Sequence, residues 1–433
     1  MNKFKKLLAL LLAFVFSLSV VVVSHAQAGN NHVSEQHDFF TEMMGEEFAE
    51  NYFQTLNFLD NFYGSLPQNR MGDTIYPDNF GGVYIDDYGN MVILVVGSMD
   101  ERANTAFITA HVEDGVLVRE VVFSYNDLRG VFNYLNDFIP NNRENLGAAN
   151  VTGIGLCVIG NNIIIALDEY SYEQIAIFRR VVLDSSILVF EQRSRLHSDI
   201  VNMPQSLDDM LCVSEIDSDS YSAIAPLNAI QVRPGDCLFA RRANGNIQRV
   251  GTVGYRAIAN IGGIDRFGFV VAAHLGDGLR NGDTVFNSSH QPIGLVMGAR
   301  LDTIDTAFVS TLNMATVVNT SHFGALNMRR SDPSVGAVVF HDRTQGARTG
   351  RRGQIVRHWS GYVGWPGFWV NGWEHSIPSR DGDSGGMVYS FVSQSNSGIQ
   401  GTHIAGWGWD QNGIFISAFT QTLLLPGDNP RPH

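Results

Sequence analysis

Three short segments hold residue types that together could split an acyl bond. In PSRDGDSGGMV, residues 378–388, Ser384 stands between Asp383 and two glycines, with Gly382 just before them. So many small or polar residues in a row predict a backbone bent tightly around one hydroxyl, where a plain turn would need only one or two of them. FVVAAHLGDG places His274 at the end of an apolar run, and IDTAFV places Asp305 just ahead of another. A serine hydroxyl is a weak nucleophile until a base takes its proton, and the base needs an orienting carboxylate. The chain order His274, Asp305, Ser384 predicts such a relay, with Asp302 as a competing carboxylate.

The elements that must position these residues are short strands. From about Gln231 onward, β-rich runs alternate with Gly and Asp turns: QRVGTVGYRAI, RFGFVVAAHL, DTVFN, PIGLVMGARL, TAFVSTL, GAVVFHD, GQIVRHW, GGMVYSFV, THIAGWGW and GIFISAF. Many short strands at this spacing predict an all-β barrel or sandwich with almost no helix. The three reactive residues then fall at the ends of three different strands.

On GDSGG at 382–386, AAHL at 272–275 and DTAFV at 305–309, residues from about 230 to 425 resemble a serine protease of the chymotrypsin fold. The similarity is greatest to the secreted bacterial branch that includes α-lytic protease and the streptogrisins. The resemblance implies a double β-barrel (trypsin-like) domain with His274, Asp305 and Ser384 as catalytic triad, and it favours Asp305 over Asp302. It implies an oxyanion hole from the backbone N–H groups of Gly382 and Ser384, with Asp383 turned inward to hold the loop. It also implies a substrate strand pairing with Ala405-Gly406-Trp407, and no cofactor or metal. Trp407 and Trp409 would shape the pocket, and His403 stands near it as a candidate sensor of an acidic substrate side chain. No aspartate at the pocket base selects Lys or Arg.

Several positions depart from that family. Leu275 stands where it carries a cysteine, with Gly251 at the partner position, so one disulfide is missing. Pro378 stands where a second would begin. His341, with Arg343 close by, replaces the arginine that pairs with the residue at Asp383.

Ahead of this region the pattern is mixed. EMMGEEFAENYFQTLNFLDNFYG has helical spacing. FGGVYIDDYGNMVILVVG reads as a hairpin turning at 87–90, and TAFITAHVEDGVLVREVVF as a second hairpin turning at Asp114-Gly115. NDLRGVFNYLNDFI reads as a helix. VTGIGLCVIGNNIIIALDE, SYEQIAIFRRV and SSILVFEQ then give hairpin, helix and strand. Residues 29–205 are therefore expected to be α+β, as two related subdomains. They resemble the pro-regions of the same bacterial enzymes, which implies an intramolecular chaperone and inhibitor. Residues 206–229, rich in Ser and Asp, read as a linker where processing would occur, ahead of a protease domain at 230–433.

Composition narrows the alternatives. Residues 1–28 have the basic start, the apolar run Leu7–Val23 and the Ala-Gln-Ala ending of an export signal, which predicts a secreted protein with no stable membrane span. The three cysteines, Cys157, Cys212 and Cys237, are too few for a disulfide framework and lack metal-ligand spacing; Cys212 and Cys237 are the nearest pair. Residues 29–226 hold 30 acidic and 9 basic side chains, whereas 227–433 hold 13 acidic and 17 basic, every one of the latter arginine. An acidic half and a mildly basic half attract each other, and neither has the dense basic patch that nucleic acid requires. The partners expected are a protein or peptide substrate and the chain's own pro-region. A non-catalytic or narrowly specific, toxin-like binding protein on the same fold is the alternative.

Overall fold

The computed structural model describes residues 38, 40–70, 74–112, 115–144, 146, 150–193, 197–198, 230–241, 247–275, 278–312, 314–318, 320–321, 324–328, 333–342, 351–363, 368–379, 382–393, 396–409, 415–420 and 431–432. The export signal, the whole 206–229 linker with Cys212, and Arg343 lie outside them. Among the described residues no helix is long and apolar enough to cross a membrane.

The N-terminal region is built from two units with one plan: helix, hairpin, helix, third strand. In the first, helix α1 (Glu46–Ser65) precedes the strands Phe80–Ile85 and Met91–Val96, then helix α2 (Arg102–His111) and the strand Leu117–Val121. In the second, α3 (Tyr125–Asn141) precedes Val151–Cys157 and Asn162–Leu167, then α4 (Tyr172–Val181) and Leu188–Gln192. Each hairpin is antiparallel and each third strand lies parallel to its neighbour. The expected pair of related subdomains is thus present in the topology.

Local chemistry explains most of these elements. Ser124 and Asp127 form a reciprocal capping box at the start of α3, whose Leu128, Phe132, Leu135 and Ile139 are buried at helical spacing. The Asp86 carboxylate accepts the N–H groups of Tyr88 and Asn90, and Gly89 takes a positive φ of 84°, which closes the first hairpin. The expected second hairpin across residues 105–123 is not formed. Residues 102–111 are helical, because the strand Leu117–Val121 runs parallel to Met91–Val96 and a parallel pair needs a crossover. The Asn104 side chain, buried, anchors that helix by donating to the carbonyls of Val96 and Ser98, both at 2.8 Å.

The C-terminal half is all β. Eight strands follow one another in the order Ile247–Thr252, Cys237–Arg241, Thr284–Asn287, Pro292–Leu301, Asp305–Ser310, Ile264–Val271, Arg256–Ile261 and Arg431–Pro432. Their inner face carries its own core, including Val271, Val285, Val296 and Val309. A second set closes on itself: Val338–His341 pairs Arg351–Val363, then Phe368–His375, Phe415–Thr420, Asn396–Trp409 and Met387–Ser393, which returns to Val338–His341. The fold is therefore an α+β region followed by an all-β, trypsin-like double barrel.

The two halves are joined as one body of structure. Val151–Cys157 of the second unit pairs antiparallel with Arg351–Val363, from His358↔Leu156 to Gly361↔Gly153, so one sheet crosses the boundary. Helix α1 lays Tyr52 and Phe53, with Phe40 ahead of it, on the closed barrel, where the Phe40 ring stands 5.2 Å from Phe391 and 6.5 Å from Phe340.

Candidate active site

The junction of the two barrels brings the three reactive residues together. Val271 pairs with Ala307, so the end of Ile264–Val271 lies beside the start of Asp305–Ser310. That neighbourhood sets His274 against Asp305. One carboxylate oxygen accepts the His274 backbone N–H at 2.9 Å, and the other makes a short contact to Nδ1. The His274 Nε2 lies 3.0 Å from Ser384 Oγ. All three side chains are buried. A proton held on Nδ1 by the carboxylate leaves the Nε2 lone pair facing the serine hydroxyl. Asp302 is exposed and instead pairs with Arg300 at 2.7 Å, so only Asp305 serves His274.

The serine loop is tied to both barrels. Thr252, at the end of a strand of the first barrel, donates its N–H to the Ser384 carbonyl at 2.8 Å and its hydroxyl to the Gly382 carbonyl at 2.7 Å. Gly385 donates to the His403 carbonyl and His403 to the Gly386 carbonyl. Gly382 has φ 91° and Gly385 φ 95°, conformations that an L side chain disfavours, and a Cβ on Gly385 would meet the Thr252 carbonyl at 2.4 Å. These contacts explain why the loop sequence is so poor in side chains. Asp383 is fully buried, as its inward turn requires.

The predicted substrate strand lies next to the nucleophile. The Ile404 carbonyl is 3.2 Å from Ser384 Oγ, and Ala405 and Gly406 follow it on the strand Asn396–Trp409. The backbone of Ala405 pairs with Ser198 and that of Gly406 with His197, antiparallel. The N-terminal region thus ends on the very strand expected to receive a substrate. The side chains of Trp407 and Trp409 lie outside the described residues.

Behind this strand three buried histidines form a row. His403 stands 4.7 Å, ring to ring, from His341, and its Nδ1 is 3.4 Å from Nε2 of His375. The Ile377 N–H donates to Nδ1 of His375 at 3.2 Å, which places the proton of His375 on Nε2, facing His403. The proton of His403 then resides on its own Nε2. Burial, with the neighbouring His403, holds the pKa of His375 well below its ordinary 6.5, so this ring stays neutral. Sequence reasoning singled out His403 and His341 but not His375, which lies on a strand it did not read.

The position of the absent disulfide is filled by packing. A Cβ on Gly251 would come 2.5 Å from a Leu275 methyl, so the leucine occupies the space over that glycine. Cys157 lies in the N-terminal region, its sulfur accepting the Gly160 N–H.

Comparison with known families gives the N-terminal region a definite kinship. Residues 27–118 match the Pro-like N-terminal domain, and 126–193 match the Pro-like C-terminal domain. These two domains, in this order, make up the pro-region of α-lytic-protease-like proteases, and they coincide with the two units of the fold. No curated protein matches this sequence. Solved structures similar to part of the chain include a Nocardiopsis protease (21% identity, TM-score 0.33, covering 44% of this chain and 93% of that one). Others are the α-lytic protease homologue N4 (20%, 0.33, 45% and 94%) and a glutamic acid specific serine protease that uses a histidine triad in substrate binding (17%, 0.33, 44% and 93%). These neighbours are chymotrypsin-fold bacterial proteases.

Proposed function

We propose that this chain is a secreted serine endopeptidase made as a zymogen. The observation that carries the proposal is the unbroken chain of contacts from Asp305 through His274 to Ser384 Oγ. In the reaction, Oγ attacks the scissile carbonyl while Nε2 of His274 takes its proton. Asp305 stabilises the imidazolium that forms, and the proton passes on to the leaving amine. The backbone N–H groups of Gly382 and Ser384 serve the oxyanion, and water then hydrolyses the acyl-enzyme. The substrate strand lies along Ala405, Gly406 and Trp407, and no cofactor or metal enters the cycle. Residues 1–28 direct export, and the N-terminal region assists folding and covers the cleft until it is removed.

The histidine row supports a finer reading of specificity: a preference for an acidic residue at the bond to be cut. A fixed N–H on His403, next to the serine loop, suits a carboxylate acceptor, and charge-assisted hydrogen bonds are the stronger kind. In a peptide-library profile, cleavage after Glu or Asp is expected to dominate. His403→Val should lower kcat/KM for those peptides about ten- to hundred-fold, the loss expected for one such bond.

Labelling by a fluorophosphonate probe, with Ser384→Ala as control, tests the activity itself. The processed wild-type protein should be labelled. Ser384→Ala should lose label and at least about 10⁴-fold of peptide turnover. Unchanged turnover in Ser384→Ala would remove Ser384 as the nucleophile, and a processed wild-type protein with neither label nor turnover would leave the non-catalytic binding protein as the surviving reading.

A further inference from the structure

We propose that Thr252 is a positioning residue for the oxyanion hole, a role that rests on the endopeptidase reading above. Its hydroxyl holds the Gly382 peptide so that the N–H groups of Gly382 and Ser384 face one point. In sequence it is the last residue of a strand, 130 positions ahead of the glycine it holds.

The loop's own residues create the need for an outside restraint. Each N–H of the hole shares a rigid trans peptide with the carbonyl of the residue before it, so fixing that carbonyl fixes the N–H. The Asp383 carbonyl accepts the Gly386 N–H at 3.1 Å, and this turn within the loop sets the plane that carries the Ser384 N–H. Gly382 is different. It has φ 91°, and a glycine adopts conformations on both sides of φ zero at little cost, so the residue does not itself hold its N–H in place. The peptide between the two donors, from the Gly382 carbonyl to the Asp383 nitrogen, must be held from elsewhere.

Thr252 holds it. Its hydroxyl donates to the Gly382 carbonyl at 2.7 Å, and its backbone N–H donates to the Ser384 carbonyl at 2.8 Å. One residue thus grips the peptides on either side of the one that joins Asp383 to Ser384. Thr252 is fully buried, so a Gly382 carbonyl turned away from it loses a hydrogen bond that is costly to leave unmade. A β-branched side chain has few χ1 choices, which suits a hydroxyl that must stay on one acceptor.

The threonine cannot follow the loop if the loop moves. Its backbone pairs with Cys237 in the first barrel, Val253 donates to the Asp236 carbonyl at 2.8 Å, and Gly254 donates to the Val270 carbonyl at 2.9 Å. A Cβ on Gly254 would meet the Gly385 carbonyl at 2.8 Å, so backbone lies directly against backbone where the barrels meet. The docking of one barrel on the other therefore shapes the hole as much as the loop sequence does. Negative charge develops on the carbonyl oxygen of the scissile bond as Ser384 attacks, and aligned donors matter most at that moment. A misaligned hole loses transition-state stabilisation but leaves ground-state binding along Ala405, Gly406 and Trp407 in place, so Thr252 acts on kcat and not on KM.

The test expresses the full-length chain, recovers the processed enzyme and counts active sites by complete fluorophosphonate labelling, so that kcat refers to folded molecules alone. Thr252→Val keeps the shape and removes the hydroxyl. Its kcat should fall about ten- to hundred-fold, less than the roughly 10²–10³-fold cost of losing a donor outright, while KM stays near the wild-type value. A peptide aldehyde, whose adduct places its oxygen in the hole, should bind Thr252→Val more weakly by the same factor. The pH profile of kcat/KM should keep its midpoint, because His274 and Asp305 are untouched. Thr252→Ser, which retains the hydroxyl, should keep most of the turnover, and Thr252→Ala should not; this pair decides between the outcomes if Thr252→Val does not fold. A labelled, active wild type with a Thr252→Val kcat equal to its own, or a loss shared equally by Thr252→Ser and Thr252→Ala, overturns the positioning role and leaves the endopeptidase standing. A wild-type protein with neither label nor turnover overturns both.

Discussion

The two units of the N-terminal region share one plan, yet they hold the protease half by different means. The second unit extends its own sheet into the barrel: the first strand of its hairpin, Val151–Cys157, becomes the neighbour of Arg351–Val363 over four residue pairs. Among the described residues, the corresponding strand of the first unit, Phe80–Ile85, pairs with the barrel half through a single bridge, Tyr84 to Val335, where the Ile85 N–H donates to the Val335 carbonyl at 2.9 Å and the Ile85 backbone packs on Gly336. The first unit relies on the face of α1 instead. Their third strands diverge in the same way. Glu191 and Arg193 meet Glu374 and Arg357 across the boundary, whereas Arg119 turns to the Ile159 carbonyl of the second unit and Glu120 accepts the Met99 N–H. An extended sheet fixes position to within one residue, because a slip would reverse every side chain. A helix face laid on aromatic rings buries area with far less demand on register. The unit nearer the cleft uses the more exacting joint.

The largest effect should come from closing the gap that lets the sheet cross. A Cβ on Gly153 would lie 2.7 Å from Trp359 Nε1 and 3.0 Å from the Ser360 carbonyl, which is backbone and cannot swing away. Gly153→Val is therefore expected to lower the stability of the full-length Ser384→Ala protein by about 3 kcal/mol, the upper end for overpacking. Urea unfolding checks this. A shift below about 0.5 kcal/mol would mean that the sheet joint contributes no more than the helix face.

How much of this was legible in the sequence differs between the two halves. GDSGG, the strand-end histidine and Asp305 were readable because reaction geometry restricts residue type as well as spacing. The hairpins and three of the four helices were readable from local periodicity. Helix α2 was not: Thr105, Phe107, Ile108 and Thr109 favour strand, and the need for a crossover outweighs that preference. The joint between Gly153 and Gly361 was not legible either, since two strands far apart in sequence leave no periodic mark of their pairing. Nor was the ring of Arg193, Glu191, Arg357 and Glu374. Each reads alone as an ordinary surface charge, and only the fold shows Glu374 and Arg357 to be buried.

A smaller loss is expected from the charge cluster. Arg193→Met removes one guanidinium from Glu374 but leaves Arg357 in place on its other oxygen. Hydrogen bonds to charged groups contribute about 1.5–3 kcal/mol, so a loss of about 2 kcal/mol in the same unfolding assay is expected. Because Arg193 belongs to the N-terminal region, the processed protease should keep the stability that it has when released from the wild-type chain. A matching loss in the released enzyme would show that the effect is not one of the joint.

The smallest effect should come from the first unit. The Tyr52 hydroxyl accepts the Val338 N–H at 3.1 Å and faces the Val338 carbonyl at 3.5 Å, so only the first contact is well made. Tyr52→Phe keeps the ring and its stacking on Phe40 at 5.2 Å while removing that acceptor. The expected cost is about 1 kcal/mol, the usual net value of one neutral hydrogen bond. Since Phe340 and Phe391 stay covered by Phe40 and Phe53, the helix should remain seated. If Tyr52→Phe instead destabilised the chain as much as Gly153→Val, the contrast between an exacting sheet joint and a tolerant helix face would fail. The polar tie of α1 would then have to be counted as a second register device.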